Sequence, residues 1–262
     1  MNTASKLLNQ LVKLMLVVCL VICFGICHHP PVTNYSLVLP TTNIDTVYLR
    51  NVLLGNVDYA HDSNFVRVDP KYAYRSIYLE RNTYNAFVDM HNAAAADGVD
   101  LKILSGARSF EYQKRIWEHK WALSKDNQPD IQKATDILRY SAMPGTSRHH
   151  WGTDIDINSL SNAYFERGRG LKEYTWLLEN AGRFGFCQVY TSKENTNRTG
   201  YEMERWHWSY LPVAAAYTNH YARMIGYKDL VGFSGSLVAP DLQVVERYVL
   251  GVAECNFPLL LK

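Results

Sequence analysis

The stretch "SRHHWGTDID", Ser147–Asp156, concentrates two histidines and two aspartates in ten residues and decides the fold around it. After Gly152 polar and apolar residues alternate with the period of a strand, so Asp154 and Asp156 are predicted to share one face. The isoleucines between and after them then point to the other face and can seat the strand on a core. Gly152 frees the backbone to turn between His149 and this strand. A histidine and a carboxylate can therefore meet at one point beside the sheet.

A second polar cluster, "EMERWHWSY" over Glu202–Tyr210, supplies Glu204 and His207. Catalytic zinc sites keep three protein ligands plus water and accept imidazole nitrogen and carboxylate oxygen, so His207 is the natural third ligand. Glu204 and His207 stand three residues apart and would face opposite sides of a regular strand. Both reach one metal only if the chain bends near Arg205, and we predict such a bend. The alternative is that both clusters are ordinary polar surface on two strands.

The composition is that of a folded globular chain with one large domain. Of the 262 residues, 47% are hydrophobic and 20% are charged, and the formal net charge is +2. Because no long run of lysine or arginine occurs, a nucleic-acid partner is not expected. Helical and strand patterns alternate without a regular βαβ rhythm, which favours the α+β class. We assign 28–60 to a linker and N-terminal extension and 61–262 to one domain that carries both polar clusters.

Periodicity and capping residues place the predicted elements. Ser109 is expected to cap the N-terminus of one helix, and Gly98 to end another. The predicted helices cover 80–97, 109–125, 170–183, 212–225 and, in the tail, 243–252, and the predicted strands cover 100–106, 153–158, 186–190 and 205–210.

The N-terminal segment 1–27 has the pattern of an export leader. It contains lysines, no acidic residue and then an apolar run over 14–27, about as long as a signal-peptide core and short for a membrane span of roughly 20 residues. A signal peptide is the first interpretation. A lipoprotein leader cut before Cys23 or Cys27, and an uncleaved membrane anchor, remain open. We therefore expect export to the periplasm or cell envelope, with membrane association through this segment as one alternative.

Two cysteines, Cys187 and Cys255, lie in the body of the chain. The body has no C-x-x-C pair, which excludes a cysteine-based zinc site there. In an oxidising compartment the two cysteines have the option of a disulfide, but the sequence leaves their pairing open.

Three motifs in a fixed order resemble those of the LAS metallopeptidases, which include the VanY-type D-alanyl-D-alanine carboxypeptidases. The resemblance covers roughly 77–210. The first motif is S-G-x-R-S-x-x-x-Q, with Ser105, Gly106, Arg108, Ser109 and Gln113. The second is S-x-H-x-x-G-x-x-x-D, with Ser147, His149, Gly152 and Asp156. The third is E-x-W-H followed by a tyrosine, with Glu204, His207 and Tyr210. The seven-residue step from His149 to Asp156 and the three-residue step from Glu204 to His207 both match the family.

This resemblance implies a fold, a cofactor and an activity. The fold is a small, mainly antiparallel sheet with flanking helices, the LAS or Hedgehog-like metallopeptidase fold. One zinc ion is expected on His149, Asp156 and His207, with Glu204 as the general base. The implied partner is a peptidoglycan stem peptide, and the implied reaction is removal of its C-terminal D-alanine. L,D-carboxypeptidase or murein endopeptidase action, and a metal-containing cell-wall-binding module without catalysis, are the alternatives.

The resemblance also places Arg108, Ser147, Gln113 and Asp154 at the substrate. Arg108 is expected to act in catalysis as well, because its planar fork of donors suits bidentate capture of a terminal carboxylate. Asp154 departs from the usual pattern, which has alanine two residues before the aspartate ligand. The chain contains no S-x-x-K, which argues against a serine carboxypeptidase, and no H-E-x-x-H, the commonest zinc-protease pattern.

Overall fold

A computed structural model describes residues 45–194 and 196–255 of the chain. The predicted export leader, 1–27, lies outside these described residues, and so does most of the predicted linker. Within the described ranges, none of the helices is both long enough and apolar enough to span a membrane.

Short strands form two antiparallel sheets in the described part of the chain. The strands are β1 (Phe65–Arg67), β2 (Tyr78–Glu80), β3 (Ile103–Ser105), β4 (Asp154–Ile157), β5 (Phe186–Cys187) and β6 (His207–Tyr210). Strand β1 pairs with β2, and the other four form one sheet in the order β3-β4-β6-β5. Every neighbouring pair is antiparallel. With helices around these sheets, the predicted α+β class is confirmed.

The helices are α1 (Thr46–Leu54), α2 (Arg81–Ala96), α3 (Phe110–Ala122), α4 (Asp130–Ile137), α5 (Gly168–Asn180) and α6 (Leu211–Met224). The two predicted end signals are confirmed. The hydroxyl of Ser109 accepts the backbone N–H of Tyr112 at the start of α3. Gly98, with a φ of 68°, follows the end of α2 in the left-handed conformation that stops a helix.

Helix α1 corrects the predicted domain boundary. It lies inside 28–60, the range assigned to a linker and extension, but Leu49 and Leu53 are buried in the main hydrophobic core. The compact unit begins at Asp45. The helix ends at Gly55, where φ is 77° and a Cβ would lie 2.3 Å from Nδ1 of His150. Only glycine accommodates both the conformation and this close approach.

The four-stranded sheet has an apolar face and a polar face. Ile155 and Trp208 lie in a hydrophobic cluster with side chains of α2 and α5. Full burial of such a side chain contributes about 1.5–3 kcal/mol to stability. Because side chains alternate along a strand, Asp154, Asp156 and His207 point to the opposite face. The apolar face therefore fixes the strands, and the polar face is free to build a site.

Three predicted elements differ from those observed. The strand predicted over 186–190 is reduced to β5, and the one predicted over 205–210 begins only at His207. The tail helix predicted over 243–252 is a single π-helical turn, Val245–Val249. Cys187 and Cys255 form a disulfide, which links β5 to the tail.

Candidate metal centre

The segment before β4 brings His149 to the sheet. Residues Arg148–Trp151 form a 3-10 turn that ends at Gly152, whose φ is 69°. The carbonyl of Gly152 accepts the backbone N–H of Glu80 at 3.0 Å, and a Cβ on Gly152 would lie 2.8 Å from that nitrogen. Glycine is required here by the positive φ and by the close approach, so the predicted turn is confirmed.

The register of β4 and β6 places Asp156 directly opposite His207. Nδ1 of His207 lies 3.1 Å from Oδ1 of Asp156, and Nε2 of His149 lies 3.3 Å from Oδ2 of the same carboxylate. One potential ligand atom of each residue lies within 4.8 Å of the other two, and all three side chains are buried. The structure thus brings the predicted trio together, with one carboxylate between two imidazoles.

The chain bends just before β6, as predicted from the spacing. Arg205 and Trp206 form a turn, in which the backbone N–H of His207 donates to the carbonyl of Glu204 at 3.3 Å. The N–H of Arg205 donates to Oδ1 of Asn162 at 3.0 Å and holds the turn in place. As a result, Oε2 of Glu204 lies 3.7 Å from Nδ1 of His207 instead of on the far side of a strand.

Hydrogen bonds decide which nitrogen of each imidazole is left for a ligand. Nδ1 of His149 lies 2.9 Å from the carbonyl oxygen of Gly106, so it carries a proton and leaves Nε2 with its lone pair. Nε2 of His207 lies 2.9 Å from Oδ2 of Asp154, which does not line the cleft, whereas Nδ1 lies 3.1 Å from Asp156 on the cleft side and is therefore the candidate ligand atom. Two imidazole nitrogens and a carboxylate oxygen match the donor set of a catalytic zinc site. The residues present therefore fit a metal ion.

Burial and proximity shift the ionisation of this cluster. Burial raises the pKa of Glu204 to about 8, opposed by His207 and assisted by Asp156. Burial acts to lower the pKa of His207, but hydrogen bonds to two carboxylates, Asp154 and Asp156, outweigh it and raise that pKa to about 9. Burial also acts to raise the pKa of Asp156, yet His149 and His207 hold it well below its usual value. Asp156 is therefore ionised at neutral pH, as a metal ligand must be.

The trio opens onto a cleft of about 640 Å³, a volume typical of small-ligand sites. His149, Asp156, Glu204 and His207 all line this cleft. Its other lining residues include Arg108, Lys120, Ser141, Ser147, Tyr190 and Trp206. The candidate ligands and the candidate base therefore line the same cleft.

Arg108 lines the cleft at the junction between β3 and α3. Its backbone N–H donates to the carbonyl of His149 at 3.0 Å. Its Nη1 donates to Oε1 of Gln113 at 2.8 Å, and its Nη2 donates to Oγ of Ser105 at 2.9 Å and lies 3.5 Å from Asp156. Within the described part of the chain, Nε of Arg108 has no hydrogen-bond partner. The guanidinium is thus fixed in place at the wall of the cleft by Gln113, Ser105 and Asp156.

Two residues expected at the substrate lie behind the cleft wall. Gln113 is buried, donates to a backbone carbonyl at 2.7 Å and accepts from Arg108. Asp154 is fully buried, and its oxygens accept from neighbouring side chains. Among the described residues that line the cleft, neither occurs, whereas Ser147 does. These positions correct the expectation of direct contact, since Gln113 supports Arg108 and Asp154 supports His207.

Sequence reasoning missed several residues that line the cleft, among them Lys120 and Tyr190. Lys120 follows Tyr112 and Ile116 at intervals of four along α3, which places all three on one face of the helix. That spacing is the signal that marks Lys120. The ring of Tyr190 lies 4.4 Å from that of His207 between centroids. It follows the short strand β5, and no local pattern marks it.

The fold and the site define the class of protein. A buried His-Asp-His group on one face of an antiparallel sheet, with a further carboxylate, Glu204, beside it in a cleft, is an arrangement typical of metal-dependent hydrolases. The chain belongs to the VanY family, described as D-alanyl-D-alanine carboxypeptidase, whose family model matches residues 76–213. The predicted membership is confirmed.

Similar proteins include the D-alanyl-D-alanine carboxypeptidase of Enterococcus faecalis (strain ATCC 700802 / V583), 37% identical over 129 residues, which are 49% of this chain and 46% of that protein. The structure of VanYB in complex with D-alanine-D-alanine is 28% identical, with 64% of this chain and 87% of that chain covered and a TM-score of 0.47. The LD-carboxypeptidase LdcB is 22% identical, with 79% and 89% covered and a TM-score of 0.49. The chain spans about half the length of the first curated relatives it matches.

Proposed function

We propose that this chain is a zinc-dependent carboxypeptidase that removes the C-terminal D-alanine from peptidoglycan stem peptides. The observation that carries the proposal is the convergence of His149, Asp156 and His207 in one cleft, with Oε2 of Glu204 3.7 Å from Nδ1 of His207. The substrate class is supported by membership of the VanY family and by the name of the matched relative in Enterococcus faecalis (strain ATCC 700802 / V583).

The donor set favours zinc. Hydrolytic zinc sites take three protein ligands from imidazole and carboxylate groups and keep one position open. Nε2 of His149, Nδ1 of His207 and a carboxylate oxygen of Asp156 would hold the ion. Zinc bound there supplies a Lewis acid that activates water at neutral pH and polarises the scissile carbonyl.

Glu204 would transfer the proton. Its carboxyl group lines the cleft beside His207, and burial raises its pKa to about 8. From this position the carboxylate would take a proton from the attacking water and pass it to the leaving amine. Glu204 is therefore the proposed general base and then general acid.

Arg108 and Ser147 are the proposed contacts for the end of the substrate. The guanidinium of Arg108 is fixed by Gln113 and Ser105 at the wall of the cleft, and a planar cation suits a terminal carboxylate. The hydroxyl of Ser147 lies on the wall of the same cleft. A fixed cation close to the trio favours substrates with a free C-terminus, and hence exopeptidase action.

Action on peptidoglycan requires a location outside the cytoplasm, which segment 1–27 would provide. It would act as a signal peptide or as a lipoprotein leader with Cys23 or Cys27 as the lipidated residue. Mass spectrometry of the mature N-terminus, with and without lipid extraction, separates these forms from an uncleaved anchor.

The test is digestion of purified muropeptides by the zinc-loaded protein, read by mass spectrometry. Loss of one alanine from pentapeptides, abolished by chelation and restored by zinc, is the expected result. Glu204→Gln should retain zinc and lose about 10²–10⁴-fold in turnover, the usual share of general acid–base catalysis. The control is Glu202→Gln, the same change two residues away in a side chain that is 38% exposed and pairs with Lys193, and it should keep full activity.

Other products would assign the activity differently. Loss of alanine from tetrapeptides would indicate an L,D-carboxypeptidase, and cleaved cross-links would indicate an endopeptidase. A protein that keeps zinc but releases no product would overturn the proposal and favour a metal-containing cell-wall-binding module.

A further inference from the structure

Asp154 is a fully buried carboxylate on the polar face of the sheet, directly behind His207. Its Oδ2 accepts from Nε2 of His207 at 2.9 Å and from Nε of Arg148 at 3.1 Å. Its Oδ1 accepts from the hydroxyls of Ser209 at 2.7 Å and Thr153 at 2.9 Å. These four donors engage both oxygens, so the hydrogen-bonding capacity of this carboxylate is used within the chain.

The strand register produces this contact. Asp154 stands opposite Ser209, and Asp156 stands opposite His207, on the same face of an antiparallel pair. Diagonal neighbours on one face lie within side-chain reach. Asp154 therefore meets Nε2 of His207 from behind, while Asp156 meets Nδ1 at 3.1 Å from the cleft side.

Arg148 compensates the buried charge. The side chains of Arg148 and Asp154 are 1% and 0% exposed, and a buried carboxylate is costly without such a partner. Arg148 also donates to the hydroxyls of Thr218 and Ser209, each at 2.9 Å, and its guanidinium lies 4.6 Å from the ring centroid of Trp151. Arg148 of the 3-10 turn, Thr153 just before β4 and Ser209 of β6 thus surround the carboxylate that contacts the back of His207.

The two imidazoles of the trio are supported by different acceptors. Nδ1 of His149 faces a neutral backbone carbonyl at 2.9 Å, whereas Nε2 of His207 faces the carboxylate of Asp154 at 2.9 Å. A charged acceptor makes the stronger hydrogen bond and fixes the position of the ring proton more firmly. It also makes the opposite ring nitrogen more basic toward a metal.

We infer that Asp154 is a positioning residue for the metal, which holds the ring of His207 with Nδ1 toward the cleft and strengthens that nitrogen as a ligand. The inference rests on the proposed zinc site and adds to it a residue that the substrate does not touch. It also gives a role to the aspartate that stands where the motif usually has alanine.

The zinc affinity of the purified chain, measured by competition with a chromophoric chelator, tests this role. Asp154→Asn keeps the size and one acceptor oxygen but removes the charge, and the Kd for zinc should rise about 10–100-fold. The matched control is Glu173→Gln. Glu173 is 1% exposed and accepts from Tyr164 and Arg169 in a different network, so this variant should keep the zinc Kd of the wild type.

A second measurement separates positioning from a merely structural role. In ¹⁵N NMR of the zinc-loaded wild type, the Nε2 proton of His207 should be protected from exchange and shifted to low field, and in Asp154→Asn it should move upfield and exchange faster. If Asp154 only stabilised the fold, its substitution would lower Tm and leave the Kd and this proton unchanged. That result would overturn the inference.

Failure of the inference and failure of the proposed function give different results. A wild-type chain that binds no zinc contradicts the zinc site itself. If the wild type binds zinc tightly and Asp154→Asn binds it with the same Kd, only the role of Asp154 is contradicted. If Asp154→Asn does not fold, the double variant Arg148→Met, Asp154→Asn removes both buried charges, a change that proteins often tolerate, and the same rise in Kd is expected.

Discussion

Two polar layers on the same face of the sheet differ in how their charges are neutralised. The front layer is His149, Asp156, Glu204 and His207, which line the cleft. The back layer is Gln113, Arg148, His150 and Asp154, all buried, and of these four only Arg148 also lines the cleft. In the back layer the chain supplies both members of the ion pair, Arg148 and Asp154, at 3.1 Å. In the front layer two carboxylates and two imidazoles crowd together, the nearest guanidinium, that of Arg108, lies 3.5 Å from Asp156, and burial raises the pKa of Glu204 to about 8.

Two buried histidines, His150 and His207, show a similar contrast in their hydrogen-bond partners. His150 has one partner per nitrogen, since Nδ1 lies 2.6 Å from the carbonyl of Arg108 and Nε2 accepts the N–H of Gly145 at 3.1 Å. Burial lowers the pKa of His150 to about 3, so it stays neutral. His207 faces carboxylates at both nitrogens, which raise its pKa to about 9. A buried histidine whose hydrogen bonds go to backbone groups of the chain supports the fold, whereas one that faces carboxylates at both nitrogens beside a cleft marks the place of a ligand.

Removal of a front-layer ligand should have the largest effect. His207→Ala should lose stoichiometric zinc and, with it, all measurable carboxypeptidase activity, because the site keeps only two ligands. Elemental analysis after dialysis and pentapeptide digestion check this outcome. His119→Ala changes an exposed histidine of α3 and should keep one zinc per chain. Full zinc occupancy in His207→Ala would show that the ligand assignment is wrong.

Removal of the back-layer cation should cost stability. Arg148→Met removes the guanidinium partner of the buried Asp154 carboxylate, and the free energy of unfolding should fall by about 3–5 kcal/mol. Urea denaturation of the metal-free protein measures the loss. Lys193→Met, which breaks a pair whose side chains are 39% and 38% exposed, should cost less than about 1 kcal/mol. Equal losses of unfolding free energy in the two variants would contradict the expected difference between a buried and an exposed ion pair.

The pH dependence of stability should carry the signature of His150. Its pKa is about 3 in the folded protein against 6.5 as the ordinary value, because burial disfavours the charged ring. Below about pH 6.5 His150 is protonated in the unfolded chain but stays neutral in the folded protein, so stability is lost as the pH falls from 6.5 toward 3. Denaturation at a series of pH values should show a shallower decline in His150→Gln, although this variant starts from a lower stability at pH 7. Parallel profiles would contradict the assignment.

The smallest effect is expected for a single hydroxyl of the back network. Ser209→Ala removes one of four donors to Asp154 and should lower the free energy of unfolding by about 0.5–1.5 kcal/mol. Because the contact of Asp154 with His207 remains, zinc affinity should hold. A loss of zinc affinity as large as that of Asp154→Asn would mean that the hydroxyl, and not the carboxylate charge, orients the ring.

The front layer was accessible from the sequence because its signals are local. The alternation after Gly152 fixes which face Asp156 takes, and the three-residue step from Glu204 to His207 requires the bend that the structure contains. The metal and catalytic roles of these residues remain predictions. The back layer depends on contacts between distant segments. Asp154 and His207 are 53 residues apart, and their contact exists only through the pairing of β4 with β6.

The two ends of helix α1 are marked by local signals in the sequence. Asp45 caps α1 by accepting from two backbone N–H groups, and Gly55 ends it. The Pro- and Thr-containing residues before it have the composition of a linker, and the burial of Leu53 depends on tertiary packing that this composition does not reveal. For the same reason the disulfide between Cys187 and Cys255 required the fold, since two cysteines alone do not determine a pairing.

Anomalous diffraction at the zinc edge, from crystals of the zinc-loaded protein, tests the division between the two layers most directly. One peak is expected in the cleft, bound by Nε2 of His149, Nδ1 of His207 and the carboxylate of Asp156, with Asp154 hydrogen-bonded to the far side of the His207 ring. A peak bound by Asp154, or one that lies away from these three side chains, would contradict the assignment of ligand and support.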